Sequence, residues 1–280
     1  MVAAATGVRP KPQPGAKPTA EMRRLQRVRQ TALGFRPATG RHYTVFLQDL
    51  HQRFLPEWYM EIGCRSGRSF APVRGKTIAV DPFFRTEMSI IATKPALHVF
   101  QTTSDDFFAQ GFLARNKIAL SLCFIDGMHL FEYALRDFIN TERHMNRDGI
   151  ILLHDCCPAS YKMTTRDLDN LPGAWTGDVW KIIPVLQKYR PDLTVTVLDC
   201  APTGLMLVSG LDPDNDILQH NYDQILRDYQ FLDLETIGAQ AFYASFAATP
   251  VQGWMDRNRA LLDKIALDPA LALSLRKHST

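Results

Sequence analysis

Apolar residues along this chain fall into two rhythms. From Glu21 to about Phe54 the spacing is helical, with Tyr43, Phe46, Leu47, Leu50 and Phe54 on one face, which would cover an edge or face of the segment C-terminal to it. Then come short β-like runs separated by helical patterns: "WYMEIG", "KTIAVD", "LHVFQT", "LSLCFID" and "GIILLHD". Between the last two, Phe131, Ala134, Leu135, Phe138 and Ile139 recur at helical spacing. Strands alternating with helices predict an α/β fold, a parallel sheet with helices on both faces. After "GIILLHD" the alternation changes. A loop over residues 158–177 leads into a helix around "DVWKIIPVLQKY", which Pro184 should kink or break. The runs "LTVTVLD" and "TGLMLVSG" come next with too few residues between them for a crossover helix, so this pair is expected to be antiparallel. Residues 211–280 are mostly helical in pattern, most clearly in "HNYDQILRDYQFLDLETIGAQAF". The expected organisation is a flexible Pro-rich tail (1–20), an N-terminal helical segment (21–56), a core (57–210) and a C-terminal helical appendage (211–280) that packs on the sheet, caps the pocket or makes a homo-oligomer.

With hydrophobic residues at 46% and charged residues at 22% of 280, the composition is that of an ordinary globular protein with length for a large core. The formal charge of +3 is mild and the Lys and Arg residues are scattered, so no nucleic-acid surface is implied. The five cysteines are odd in number and two of them, Cys156 and Cys157, are adjacent, which suits the thiols of a reducing compartment better than a disulfide framework. The N-terminus lacks a charged segment leading into an apolar one, and no run is long enough to span a membrane. The expectation is a cytoplasmic protein without a membrane partner.

The stretch "EIGCRSGRS" places Glu61 at the end of the first strand, Gly63 and Gly67 in a tight turn, and Ser69 at the start of a helix. Glycines there let a ligand approach the backbone, and a helix N-terminus offers free N–H groups to a carboxylate or phosphate. Twenty residues after Glu61, Asp81 ends the second strand, where an acid can accept both hydroxyls of an adenosine ribose. The alternative is a purely structural turn. A dinucleotide site would want GxGxxG, whereas this spacing is GxxxG behind an acid that would repel a pyrophosphate and suits the ammonium group of S-adenosylmethionine. After the third strand, Ser104 and Asp105 in "TTSDDFF" either border the adenine or cap the next helix, or do both.

The fourth strand reads as fully buried and still ends in a carboxylate, Asp126, with His129 three residues later. A buried charge needs a partner. The set "EIGCRSGRS", "AVDP", "TTSDDFF", "FIDGMHLFEYALRDF" and "DGIILLHD" resembles the catechol O-methyltransferase-like class I methyltransferases, above all the branch with macrolide-sugar O-methyltransferases and cephalosporin-hydroxylase-like proteins. The resemblance covers residues 58 to about 210 and neither end of the chain. It implies a Rossmann-like, mostly parallel class I methyltransferase sheet with a final antiparallel strand. It also implies a magnesium ion on the acids that end the fourth and fifth strands, here Asp126 and Asp155. Where the catechol enzymes have an asparagine ligand this chain has Cys156, and where the antibiotic-tailoring branch often has an acid it has His154; one His with two Asp would also take manganese. Two carboxylates at adjacent strand ends, about 4.8 Å apart, can converge on one cation, or helix N-termini and backbone N–H groups can hold them without one.

His129 stands where the catechol enzymes place a lysine base, and an imidazole can take a proton from a hydroxyl at neutral pH; the alternative is a histidine that only bonds the chain. Trp175, Asp178 and Trp180 in the long loop either wall an acceptor or anchor the core. The expected activity is S-adenosylmethionine-dependent methylation, with a divalent metal, of a small-molecule or sugar hydroxyl, with Asp126 and His129 catalytic. A non-catalytic binding protein on the same fold and an NAD-dependent oxidoreductase are the alternatives.

Overall fold

A computed structural model describes residues 19–86 and 89–267 of the chain. The expected Pro-rich tail therefore lies outside the described residues up to position 18, as do the last thirteen residues of the expected C-terminal appendage.

Eight strands form one sheet: β1 (Trp58–Ile62), β2 (Lys76–Val80), β3 (Leu97–Phe100), β4 (Leu120–Ile125), β5 (Met145–His154), β6 (Thr194–Leu198), β7 (Leu205–Ser209) and β8 (Ala248–Thr249). Their spatial order is β3-β2-β1-β4-β5-β7-β6-β8. Strands β1 to β5 pair in parallel, and β7 runs antiparallel to both β5 and β6. The chain winds outward from β1 to β3, then returns to the other side of β1 with β4. That reversal opens a crevice beyond the C-terminal ends of β1 and β4, where open sheets of this kind bind ligands.

Helices α1 (Ala20–Ala32), α2 (Tyr43–Arg53), α3 (Ser104–Ala109), α4 (Phe112–Arg115), α5 (Phe131–Glu142) and α6 (Ile182–Tyr189) accompany the sheet. Short helices α7 (Ile217–His220), α8 (Tyr222–Tyr229), α9 (Leu234–Ile237), α10 (Ala239–Ala244), α11 (Trp254–Arg257) and α12 (Arg259–Asp263) come after it in the chain. The strands are apolar on both faces because both are covered. On one face Phe46, Leu47 and Leu50 of α2 pack with Tyr59, Phe124 and Leu152. On the other, Phe131, Leu135 and Phe138 of α5 pack with Met60, Cys123 and Ile151.

Four local expectations are refined or corrected. The helical rhythm of 21–54 is two helices, interrupted between residues 33 and 42, and α1 buries none of its residues. The helix expected from Ser69 is absent: residues 65–72 form successive turns, with Ala71 N–H bonded to Gly67 O and Val73 N–H to Phe70 O. Pro72 has no N–H to continue a ladder. Pro184 does not kink a long helix; the chain makes a 3-10 turn over Val179–Lys181 and restarts as α6, with Pro184 in the first turn, where no N–H is needed. The stretch 220–242 divides into short helices, and beyond it the appendage adds β8 alongside β6.

Candidate functional site

The crevice holds a cavity of about 1350 Å³. Its floor is the meeting of β1 and β4. Asp126 N–H bonds Ile62 O at 2.8 Å, and Gly63 has a φ of +88°. A side chain on Gly63 would put its Cβ 2.0 Å from the Asp126 carbonyl oxygen, so this glycine is required by the approach of the two strand ends.

The cofactor residues expected from the sequence are placed unequally. Gly63, Ser69, Asp81, Ser104 and Asp105 line the cavity. Gly67, at a φ of +79°, turns the loop between them. Asp81 accepts backbone N–H groups from Arg65 at 2.7 Å and Phe83 at 2.6 Å, one on each oxygen, and each oxygen keeps a lone pair. Thr103, rather than Ser104 or Asp105, caps α3. Asp105 is clasped by Arg136 through Nε at 2.9 Å and Nη2 at 2.7 Å, so an adenine amine would share it. Glu61 departs most from expectation. Its carboxyl is fully buried and takes hydroxyls from Tyr59 and Ser69, where a meeting with a cofactor ammonium was expected. Burial pushes it up to about 8, against the opposing pull of those two hydrogen bonds.

At the ends of β4 and β5 the ligating atoms of Asp126, His154 and Asp155 lie within 4.8 Å of one another. His154 Nδ1 is 3.1 Å from Asp126 Oδ1. Thr203 donates its hydroxyl to Asp155 Oδ1 at 2.5 Å and stands 3.2 Å from His154 Nε2. Since that hydroxyl proton is engaged by Asp155, Thr203 accepts from Nε2–H. The histidine is thereby oriented with Nδ1 toward the carboxylates, the arrangement in which metal-ligating histidines are held. Asp155 itself has a φ of +59°, an uncommon backbone for a non-glycine residue and one that collects at functional sites.

His129 bridges the two acids, with Nδ1 3.2 Å from Asp155 Oδ2 and Nε2 3.5 Å from Asp126 Oδ1. Burial lowers its pKa, but the bond to Asp126 and the charge of Asp155 outweigh burial and hold it at about 9. Burial raises Asp126, yet His154 and His129 pull it down to about 2; Asp155 is raised, chiefly by burial. Cys156 is fully buried with its sulfur 3.9 Å from that of Cys157, and is not part of the cluster of oxygen and nitrogen donors.

Two residues of the site escaped the sequence. Tyr43, read as one of a row of packing residues, packs against His154 with ring centroids 3.8 Å apart and the planes tilted by 31°, and burial with the charges of Asp126 and Asp155 keeps its phenol neutral. Its place as the first residue of α2 was the available signal. Thr203 had none beyond its position in the short β6–β7 connection, whose carbonyl takes Cys157 N–H.

The loop aromatics divide between the two roles offered for them. Trp175 lines the cavity with its ring 5.1 Å from that of His129. Trp180 is a core residue at 1% exposure. Asp178 is buried and accepts from Phe131 N–H at 2.7 Å, serving the N-terminus of α5, and from Arg166 and Lys181. Asp178 N–H in turn bonds His129 O at 3.0 Å. The long loop is thus pinned to the segment that carries His129.

Among known proteins, residues 60–156 match the family described as "Methyltransferase domain". No curated protein matches the chain. Similar solved structures include the cofactor-bound Rv0187 from MTB, at 16% identity over 69% of this chain and 89% of that one, with a TM-score of 0.45. TomG, an O-methyltransferase of Streptomyces achromogenes involved in tomaymycin synthesis and bound to SAM, is 16% identical over 60% of this chain and 78% of its own, with a TM-score of 0.45. An O-methyltransferase from Bacillus cereus in complex with SAH is 15% identical over 69% and 92%, with a TM-score of 0.44. No helix among the described residues is long and apolar enough to cross a membrane.

Proposed function

We propose, from a chain whose residues 60–156 match the family described as a methyltransferase domain, that the protein is an S-adenosylmethionine-dependent O-methyltransferase acting on a hydroxyl of a small molecule or sugar. The observation that carries this reading is the cluster of Asp126, His154 and Asp155, with His129 between the acids: Asp126 and His129 line the cavity that Gly63, Asp81 and Ser104 also line, and His154 and Asp155 are buried behind them.

On this reading Asp81 uses its free lone pairs on the ribose hydroxyls, and Ser104 with Asp105 borders the adenine. The donor set fits a divalent ion: two carboxylates and one imidazole nitrogen lie within 4.8 Å, and the imidazole is oriented from behind by Thr203. Two oxygens and one nitrogen suit magnesium or manganese. An ion there would supply charge that lowers the pKa of an acceptor hydroxyl and would take up the carboxylate charge that now holds His129 protonated. His129 then receives the hydroxyl proton on Nε2, while the bond between its Nδ1 and Trp175 O at 3.1 Å fixes the ring. Trp175 and Tyr43 exclude water and flank the acceptor. The sulfonium methyl is already reactive, so these residues act chiefly by positioning.

The test has two parts. S-adenosylhomocysteine titrated calorimetrically into the protein should bind with micromolar or tighter affinity, and no binding would end the reading. Manganese followed by its paramagnetic resonance should bind, with at least a tenfold loss in His154→Ala; unchanged affinity in that variant would remove the metal site.

A further inference from the structure

Three guanidinium groups on the cavity wall, those of Arg65, Arg68 and Arg85, have no side-chain partner among the described residues. Among the described residues, the carboxylates that line the cavity are all engaged. Asp81 is bonded to backbone N–H groups, Asp105 is held by Arg136, and Asp126 faces two histidines. Less exposed arginines are paired, Arg136, Arg166 and Arg190 each meeting a carboxylate at 2.6–2.7 Å, while exposed ones such as Arg24 and Arg27 of α1 also lack a partner among the described residues; the three here differ in lining one cavity.

The backbone holds two of the three together. Arg65 N–H bonds Asp81 Oδ2 at 2.7 Å and Arg85 N–H bonds Arg65 O at 2.7 Å, which joins the turn after β1 to the turn after β2. Arg65 has a φ of +32°, so the chain keeps a side chain in a conformation that a glycine would hold more readily. S-Adenosylmethionine carries one carboxylate, and that group can engage one of the three guanidinium groups. Two positive charges remain on the rim with nothing from the cofactor to meet them. Phe83, 75% exposed, and the half-exposed Met128 and Tyr133 give the same rim an apolar face.

We infer that the acceptor is an anion, its hydroxyl facing His129 and an oxyanion, phosphate or carboxylate, gripped by the cavity-lining guanidinium groups of Arg65, Arg68 and Arg85. The planar fork of arginine suits both oxyanions. The inference rests on the methyltransferase reading for the share of charge assigned to the cofactor.

The experiment uses the full chain saturated with S-adenosylhomocysteine at fixed ionic strength. Inorganic pyrophosphate and 3,4-dihydroxybenzoate are titrated separately, by calorimetry. At least one should bind, with affinity reduced tenfold or more in Arg68→Ala/Arg85→Ala and unchanged within twofold in Arg24→Ala/Arg27→Ala, which removes the same charge from exposed positions on α1. The tighter arm distinguishes phosphate from carboxylate. An unchanged melting temperature shows both variants folded, as expected of exposed side chains. Binding of neither probe, or equal affinities in the two double variants, overturns the inference. S-Adenosylhomocysteine binding without an arginine-dependent anion removes this inference alone. Arginine-dependent pyrophosphate binding without S-adenosylhomocysteine binding supports the anion site and removes the methyl-transfer reading.

Discussion

A single methyl group at Gly177 should dislodge His129. This glycine has a φ of +52°, and a Cβ built on it would lie 1.7 Å from the His129 carbonyl oxygen and 2.6 Å from its carbon. Both are backbone atoms, so no rotamer change relieves the overlap. Reaching an ordinary contact requires the two segments to part by more than about 1.5 Å, which breaks the 3.0 Å bond from Asp178 N–H to His129 O. The left-handed backbone adds about 1–2 kcal/mol for a residue with a Cβ, and the broken bond, with a carbonyl left short of a partner, about 1–3 kcal/mol. Gly177→Ala should therefore lose about 2–5 kcal/mol in urea unfolding, and displacement of the proposed base His129 by an ångström should cost about 100-fold in turnover. Gly173 lies in the same loop with nothing within 4 Å of its added Cβ, so Gly173→Ala should stay within about 0.5 kcal/mol of the parent. Equal stability of the two variants would refute the claim that this loop sets the position of His129.

Two further perturbations probe the buried charges behind the site. Asp178→Ala strands the Lys181 ammonium, 1% exposed and left with only the Gln230 carbonyl, and should cost about 3–5 kcal/mol; Asp178→Ala/Lys181→Met should recover much of this, and a double variant as unstable as the single one would refute the assignment. Glu61, at about 8 in the folded protein against 4.5 for an unperturbed group, keeps its proton where the unfolded chain has lost it. Its contribution is therefore full below pH 4.5 and declines as pH rises toward 8, by about 1.4 kcal/mol per unit within that window. Glu61→Gln has no such proton to keep, so in cofactor-free protein its stability relative to the parent should improve from pH 5 to pH 8; parallel curves would show that Glu61 is ionised throughout.

What the sequence revealed of the site is what strands reveal. A strand covered on both faces is apolar throughout, so the acids Asp81, Asp126 and Asp155, each the first residue past such a run, stand out locally. Their convergence comes from parallel pairing alone, because register fixes which strand ends are neighbours. Glu61 is different: Tyr59, two residues back on the same face of β1, supplies its partner, and the period of 2 that puts them together was present in the sequence. The helix expected after the glycine loop failed because a start signal at Ser69 says nothing of whether Pro72 and Gly75 will let it run. Tyr43 and Thr203 were hidden, and Trp175 was left between wall and core anchor, for a deeper reason. They reach His154, Asp155 and His129 from α2, the β6–β7 connection and the long loop, all outside the β/α alternation. Periodicity reports that such residues are buried or exposed, and not what they face. The alternating core therefore carries the glycine turn and the strand-end acids, whereas Tyr43 and Trp175, which line the cavity, come from elements outside it. On the proposed reading, the sequence discloses the acids more readily than the acceptor because the two are encoded in different parts of the chain.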